Sequence, residues 1–205
     1  MTGLETFLIA SLALNITPGA DMIFVLATAL AQGRRTGMVA ALGIGVGGLG
    51  HTAAATVGLS ALLSLSAEAF TLLKIIGAAY LVWLAVQTLR GSGGLSFADG
   101  RPVRKKKRIF LDAALVNLLN PKVALFMLAF LPQFVDTAAP NPALQVMFLG
   151  ALFCFTGTVT LCLVAWFAAP LGQAVRKSAR TQRIMRWATA GILAGLGVRL
   201  GLTQP

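Results

Sequence analysis

Long apolar runs separated by short polar linkers set the pattern of this chain. Six runs can be marked, at residues 4–31, 38–63, 70–89, 109–135, 144–169 and 184–202. A helix needs about 20 mostly apolar residues to cross the hydrocarbon of a bilayer, so each run can span with some tilt. The pattern predicts an all-α polytopic membrane protein with six transmembrane helices. Two of the runs are interrupted. Asn15-Ile16-Thr17-Pro18-Gly19-Ala20-Asp21 lies near the middle of the first, and Asn117-Leu118-Leu119-Asn120-Pro121-Lys122 near the middle of the fourth. Proline removes a backbone donor and clashes with the preceding turn, so both helices are expected to break near the bilayer midplane. Freed backbone groups at that depth persist only where they are re-satisfied or line a cavity.

The linkers alternate in character. Residues 32–37 carry Arg34 and Arg35, residues 90–108 carry a cluster ending in Arg104-Lys105-Lys106-Lys107-Arg108, and the fifth linker carries Arg176, Lys177, Arg180 and Arg183. The second linker holds only Glu68 and the fourth is acidic and proline-rich. Counting Arg186 just inside the last run, the odd linkers and their flanks hold fourteen of the 17 Lys and Arg. Positive loops stay in the cytoplasm, which predicts cytoplasmic odd linkers and both termini outside. The stretch before the first run lacks basic residues, so the first helix is expected to be retained rather than cleaved as a signal.

Composition agrees with this reading. The chain is 57% hydrophobic and 11% charged, with a mean hydropathy of +0.83, whereas soluble domains carry about a quarter charged residues. A formal charge of +11 raises nucleic-acid binding, but the basic residues sit in loops between spans with no binding motif nearby, so no nucleic-acid partner is expected. Contact with phospholipid head groups is the ordinary role for such a cluster. Cys154 and Cys162 lie eight apart on one run, about 12 Å along a helix and too far for a disulfide. They read as packing residues, and no metal site or cofactor is expected.

The glycine-rich, charged stretch 91–108 divides the chain into halves, residues 1–90 and 109–205, of three spans each within one transporter domain. Related features recur in both: an Asn and a Pro before a charged residue in runs one and four, glycine in runs two and five, and a basic residue before small residues in runs three and six (Lys74 and Arg186). Three spans per half impose opposite orientations, so the halves read as inverted repeats. Interrupted spans at matching positions of such repeats point to a transporter's binding site.

Candidate chemistry gathers at the breaks. Thr17 is placed to cap a second half-helix starting at Pro18, with Gly19 allowing close approach and amides that would attract a carboxylate. Asp21 follows one turn later, an acidic residue deep in a span and a functional candidate by default. Asn120 is placed to cap a half-helix starting at Pro121. Lys122 would then sit where the helix dipole disfavours a cation, which calls for a negative partner, Asp21 being the candidate. That pair is either a static ion pair or one that titrates and exchanges with substrate. His51, mid-span in a run with Gly43 and Gly47 at close-packing spacing, reads as satisfied by a neighbouring hydroxyl or carbonyl, with a proton relay as the sharper alternative. Lys74 reads as snorkelling, Tyr80 as packing, Asp112 and Arg199 as solvated span ends, and Phe126 and Phe130 as lipid or helix contacts.

Four features together resemble the LysE/RhtB family of amino-acid exporters. They are Asn15 through Asp21, similar to that family's N-x-T-P-G-P-D signature; the glycine-rich helix running into His51 and Gly58-Leu59; Lys74-Ile75-Ile76-Gly77-Ala78-Ala79-Tyr80-Leu81; and Asn120-Pro121-Lys122 continued by Phe130-Leu131-Pro132-Gln133-Phe134. The resemblance covers nearly the whole chain. It implies export of amino acids or close derivatives from the bacterial cytoplasm, driven by protons, and carries importance onto Asn15, Pro18, Asp21, Asn120, Pro121 and Lys122. Ala20 departs from the signature's second proline and leaves one more amide donor at the half-helix start. Family members handle basic, neutral and homoserine-like compounds, so the match names no single substrate.

The expected function is therefore export across the bacterial inner membrane of a small amino-acid substrate by proton antiport. The substrate carboxylate would meet half-helix amides and Lys122, and its ammonium would meet Asp21. Protons and the lipid bilayer are the other expected partners, and a homo-oligomer stays open. An uncoupled facilitator is the alternative. A membrane enzyme lacks any nucleophile–base pair or metal cluster in the spans.

Overall fold

The computed structural model describes residues 3–62, 104–136 and 138–168, with scattered positions between 72 and 90 and between 183 and 198. Every regular element among the described residues is helical, with no strand among them. Helix α1 is Leu4–Ile16, α2 Ala20–Gln32, α3 Arg34–Leu62, α4 Lys106–Leu118, α5 Pro121–Leu125 and α6 Pro142–Trp166. Helix α5 runs on through a π-helical turn, Phe126–Phe130, and a 3-10 turn, Leu131–Phe134. Lys74, Tyr80, Arg186 and Arg199 fall outside the described residues.

Both expected breaks are present. Helices α1 and α2 meet at a bend of 50°, and α4 meets the segment Pro121–Phe134 at 49°. Residues 34–58 of α3 and all of α6 are long and apolar enough to cross a membrane, and each bent pair adds a span if counted as one. The chain is thus a helical, polytopic membrane protein.

Helix α3 is the central post. A Cβ on Gly43 would run into the Phe110 carbonyl of α4, and one on Gly47 would lie 2.6 Å from the Ala114 carbonyl. On its other side, a Cβ on Gly48 would lie 2.7 Å from Cys154 Sγ of α6. Without side chains here, backbones approach closely enough to pack where lipid offers no hydrophobic drive. Cys154 and Cys162 are free thiols.

The core divides in two. One cluster is aromatic: Phe126 lies 4.7 Å from Phe153, 5.0 Å from Phe130 and 6.1 Å from Phe7, ring centre to ring centre. Phe126 and Phe130 are fully buried, so of the two roles expected for them the helix contact holds. The second cluster is aliphatic, built on Met22, Val25, Leu26, Ile44, Ile109 and Leu161. Basic linkers gather at the aliphatic end: the Arg104 amide donates to Gln32 Oε1 at 3.0 Å, and the Arg34 guanidinium stacks 4.2 Å over Trp166. Asp112 joins Arg104 and Arg108 at 3.1 and 3.0 Å, an ion-paired rather than simply solvated span end. The N-terminal Gly3 packs by Phe134, near the acidic linker.

Gly47→Ala should lower the stability of detergent-purified protein by about 1–3 kcal/mol, the usual cost of overpacking. Gly58→Ala, whose Cβ would meet only Leu128 at 4.0 Å, should leave the thermal unfolding midpoint unchanged or raise it.

Candidate functional site where two broken spans meet

Each break creates a backbone vacancy that can be traced. In a continuous helix the carbonyl of Leu14 would accept from residue 18, and that of Asn117 from residue 121. Both donors are prolines, which have none. Lys122 Nζ donates to Leu14 O at 3.2 Å and to Thr17 O at 3.0 Å. His51 Nε2 contacts Asn117 O at 3.0 Å. A carbonyl can only accept, so this bond requires the proton on Nε2. Each carbonyl keeps the amide three residues on, Thr17 N–H to Leu14 O at 3.2 Å and Asn120 N–H to Asn117 O at 2.8 Å, and its second acceptor position is filled by a basic side chain from the opposite half of the chain.

The local caps follow from the same residues. Asn120 Oδ1 accepts from the Lys122 amide at 3.0 Å with Pro121 at the first helical position, the cap expected there. At the other break Thr17 ends α1 instead of starting α2: its amide and its Oγ1 both bond Ala13 O, at 3.1 and 2.8 Å. Its hydroxyl is closest to the carbonyl one turn back, and this replaces the expected N-cap. Gly19 takes the N-cap position of α2 in extended backbone, with Ala20 first in the helix. A Cβ on Gly19 would sit 3.2 Å from Lys122 Nζ, so the glycine makes room for the lysine.

Asp21 stands in the first turn of α2, where the positive end of the helix favours it. Its Oδ2 accepts from Asn117 Nδ2 at 2.8 Å. The expected direct Asp21–Lys122 contact is replaced by these separate partners: the ammonium binds carbonyls at the negative end of α1, and the carboxylate binds an amide. Asn15 Nδ2 reaches across to α6, to Thr156 Oγ1 at 3.1 Å and Phe153 O at 3.4 Å.

Asn15, Thr17, Asp21, Asn117 and Lys122 line one cavity of about 40 Å³, together with Gly45 and Gly48 of α3 and Thr158 of α6. Its apolar walls come from both core clusters, Val123 and Phe153 from one and Met22, Ile44 and Leu161 from the other. His51 and Asn120 stand behind this lining, joined to it through Asn117 and Lys122. Asn117 is the residue the sequence reading placed in the motif but assigned no role, although its position four before Pro121 marks its carbonyl as vacated. No group of three or more metal-ligating side chains occurs among the described residues.

A helical membrane protein with two broken spans meeting around one polar cavity has the build of a transporter. The sequence profile described as LysE type translocator matches residues 12–204, and the chain belongs to that family. A homoserine/homoserine lactone efflux protein of Salmonella typhimurium is 34% identical over 172 residues, 80% of this chain and 83% of the relative. An uncharacterized membrane protein of Vibrio cholerae is 33% identical over 83% of this chain and 82% of its own length. One of Bacillus subtilis is 30% identical over 92% and 93%. No solved structure matches the chain. The family and these names support amino-acid efflux in general and a multi-pass bacterial membrane protein.

Lys122→Met should strand the Thr17 carbonyl, leave Leu14 O with the Thr17 amide alone, and destabilise the protein by about 1–3 kcal/mol. Lys122→Arg, which keeps the donors, should recover part of that loss in the same thermal unfolding assay.

Proposed function

We propose that this protein exports small amino acids or close derivatives from the cytoplasm across the inner membrane by proton antiport. The observation that carries the reading is the shared polar cavity at two matching breaks, with Asp21 and Lys122 both on its wall. In the proposed architecture six spans form two inverted three-helix halves, residues 1–90 and 109–205, joined by the basic cytoplasmic loop 91–108, with both termini outside. Bends of 50° and 49° and the reciprocal filling of carbonyls between halves support the repeat. The gathering of basic linkers at one end and of Gly3 with Phe134 at the other supports the orientation.

Asp21 is the proposed coupling group. A carboxylate holds a proton or a substrate ammonium but not both, so loading one from either side of the membrane releases the other. His51 is held through Nε2 by the Asn117 carbonyl and reads as structural here. Asn15, Thr17, Pro18, Gly19, Asn120, Pro121 and Lys122 shape the cavity around that exchange. At about 40 Å³ the cavity holds only a few waters, so uptake of an amino acid requires the half-helices to separate. The protein is read as a transporter without enzymatic activity, using no cofactor, with protons, lipid and a small solute as partners; self-association into a homo-oligomer fits the reading equally with a monomer.

Homoserine, one of the two solutes in the name of the Salmonella relative beside its lactone, is the first probe. Proteoliposomes loaded with homoserine and the proteinogenic amino acids should release at least one of them faster when a pH gradient is imposed, with proton uptake alongside. Asp21→Asn should abolish the response to the gradient. Wild-type efflux that ignores the gradient would identify an uncoupled facilitator, and an Asp21→Asn variant exporting at the wild-type rate would remove Asp21 from the coupling role.

A further inference from the structure

Helix α2 borders a second cavity as well as the central one. It holds about 30 Å³ between α2 and the start of α4, with Phe24, Thr28 and Gln32 on one side and Arg104 and Ile109 on the other. The register ties it to the central cavity. Asp21, Phe24, Thr28 and Gln32 follow at steps of three or four residues and so share one face of α2. Ile109, Ala113 and Asn117 recur every four residues on α4, and all three are buried. Asp21 and Asn117 line the central cavity, while Gln32 and Ile109 line the second. One seam between two helices therefore has a cavity at each end, spread over about 16 Å of rise along α2.

A hydrogen bond pins each end of that seam. At the inner end Asn117 Nδ2 donates to Asp21 Oδ2 at 2.8 Å, and at the outer end the Arg104 amide donates to Gln32 Oε1 at 3.0 Å. Arg104 precedes the first turn of α4, so its amide serves no acceptor within that helix. Asp112 holds the Arg104 guanidinium at 3.1 Å and Arg108 Nε at 3.0 Å, which fixes the chain where the Arg104 amide meets Gln32. Between the pins lies the aliphatic cluster, in which Val25 and Ala113 are fully buried.

A seam that only held the bundle together would pack shut, because a void forfeits the contacts that join helices in lipid. This one stays open at the end of the basic linkers, where its remaining wall is small, Ala27 and Ala31. The Thr28 hydroxyl already donates to Phe24 O at 2.7 Å, so toward the cavity it presents an acceptor. Helix α2 is severed from α1 at Gly19. Swinging it from α4 breaks the two pins and opens the seam from Gln32 to Asp21.

We propose that this second cavity is the mouth through which the solute enters from the cytoplasm, and that the Gln32–Arg104 bond is the latch that closes it. The mouth rests on the export reading and orientation above and adds the route by which a solute reaches Asp21.

The test labels single cysteines with a charged, membrane-impermeant maleimide in inside-out and right-side-out membrane vesicles. Thr28→Cys is made in a Cys154→Ala, Cys162→Ala background, beside Leu30→Cys, an exposed position of α2 off the seam. Thr28→Cys should label about tenfold faster in inside-out vesicles, where the cytoplasmic face is open to the reagent. Adding Gln32→Leu removes the acceptor of the latch and should raise that rate about two- to tenfold, the range of one net hydrogen bond, while leaving Leu30→Cys unchanged. In the native background, Thr28→Trp fills the cavity and should slow efflux of any exported amino acid from proteoliposomes by about tenfold or more. Equal or slower labelling of Thr28→Cys in inside-out vesicles, or efflux by Thr28→Trp at the wild-type rate, would overturn the mouth. A Gln32→Leu effect that is absent, or equal at both cysteines as general loosening predicts, would overturn the latch. Wild-type protein that exports nothing sinks the export reading and the mouth with it; wild-type export with a failed labelling pattern sinks the mouth alone. Labelling decides the matter even if Thr28→Trp does not fold.

Discussion

Two missing amide hydrogens govern this structure. Pro18 and Pro121 leave the carbonyls of Leu14 and Asn117 without the donors four residues on, each keeping only the amide three residues on, and a buried polar group left unanswered costs about 1–3 kcal/mol. A soluble protein would expose such groups to solvent. Here the answer comes from across the chain, from Lys122 in one case and His51 in the other. The first broken span is completed by a residue of the second half, and the second by a residue of the first. Packing the halves together and building the polar site are therefore one event, since the bonds that hold the halves also place the charges.

The electrostatics follow the same geometry. Lys122 sits in the first turn of its own helix, an unfavourable end for a cation, yet its ammonium lies at the carbonyl end of α1, where the dipole favours it. Asp21 sits in the first turn of α2, the favourable end for an anion. Each charge is thus stabilised by a helix terminus freed by a break, and neither needs the other as a direct partner. This leaves the carboxylate with one oxygen on Asn117 and one without a partner.

Much of this was legible in the residues. Proline within an apolar run gave both breaks, Asn120 before Pro121 gave a cap that the structure places as expected, and the glycines of α3 gave close packing. The partners were harder to read. Opposite charges suggested an Asp21–Lys122 pair, because sequence shows side-chain charge but hides backbone carbonyls, which carry no letter. Counting four residues back from each proline would have exposed the vacated carbonyls and pointed to Asn117. Thr17 was read as a start signal because threonine often caps helices; it instead folds its hydroxyl back to Ala13, and Gly19 makes the turn. The charge bias of the linkers matches the basic cluster at one end of the bundle, while the features placed on Lys74 and Tyr80 lie outside the described residues.

The position of the two core clusters gives the site its direction. The aromatic cluster walls the cavity on the side of the acidic linker, through Val123 and Phe153, and the aliphatic cluster on the side of the basic linkers, through Met22 and Leu161. The bends at Gly19 and Asn120 are the natural hinges, being the points where each span is already discontinuous. Lys122 ties the half-helix after the second bend to the end of the half-helix before the first. Asn117 ties the half-helix before the second bend to the start of α2 after the first. Movement at either bend would therefore be felt in the other span through these bonds.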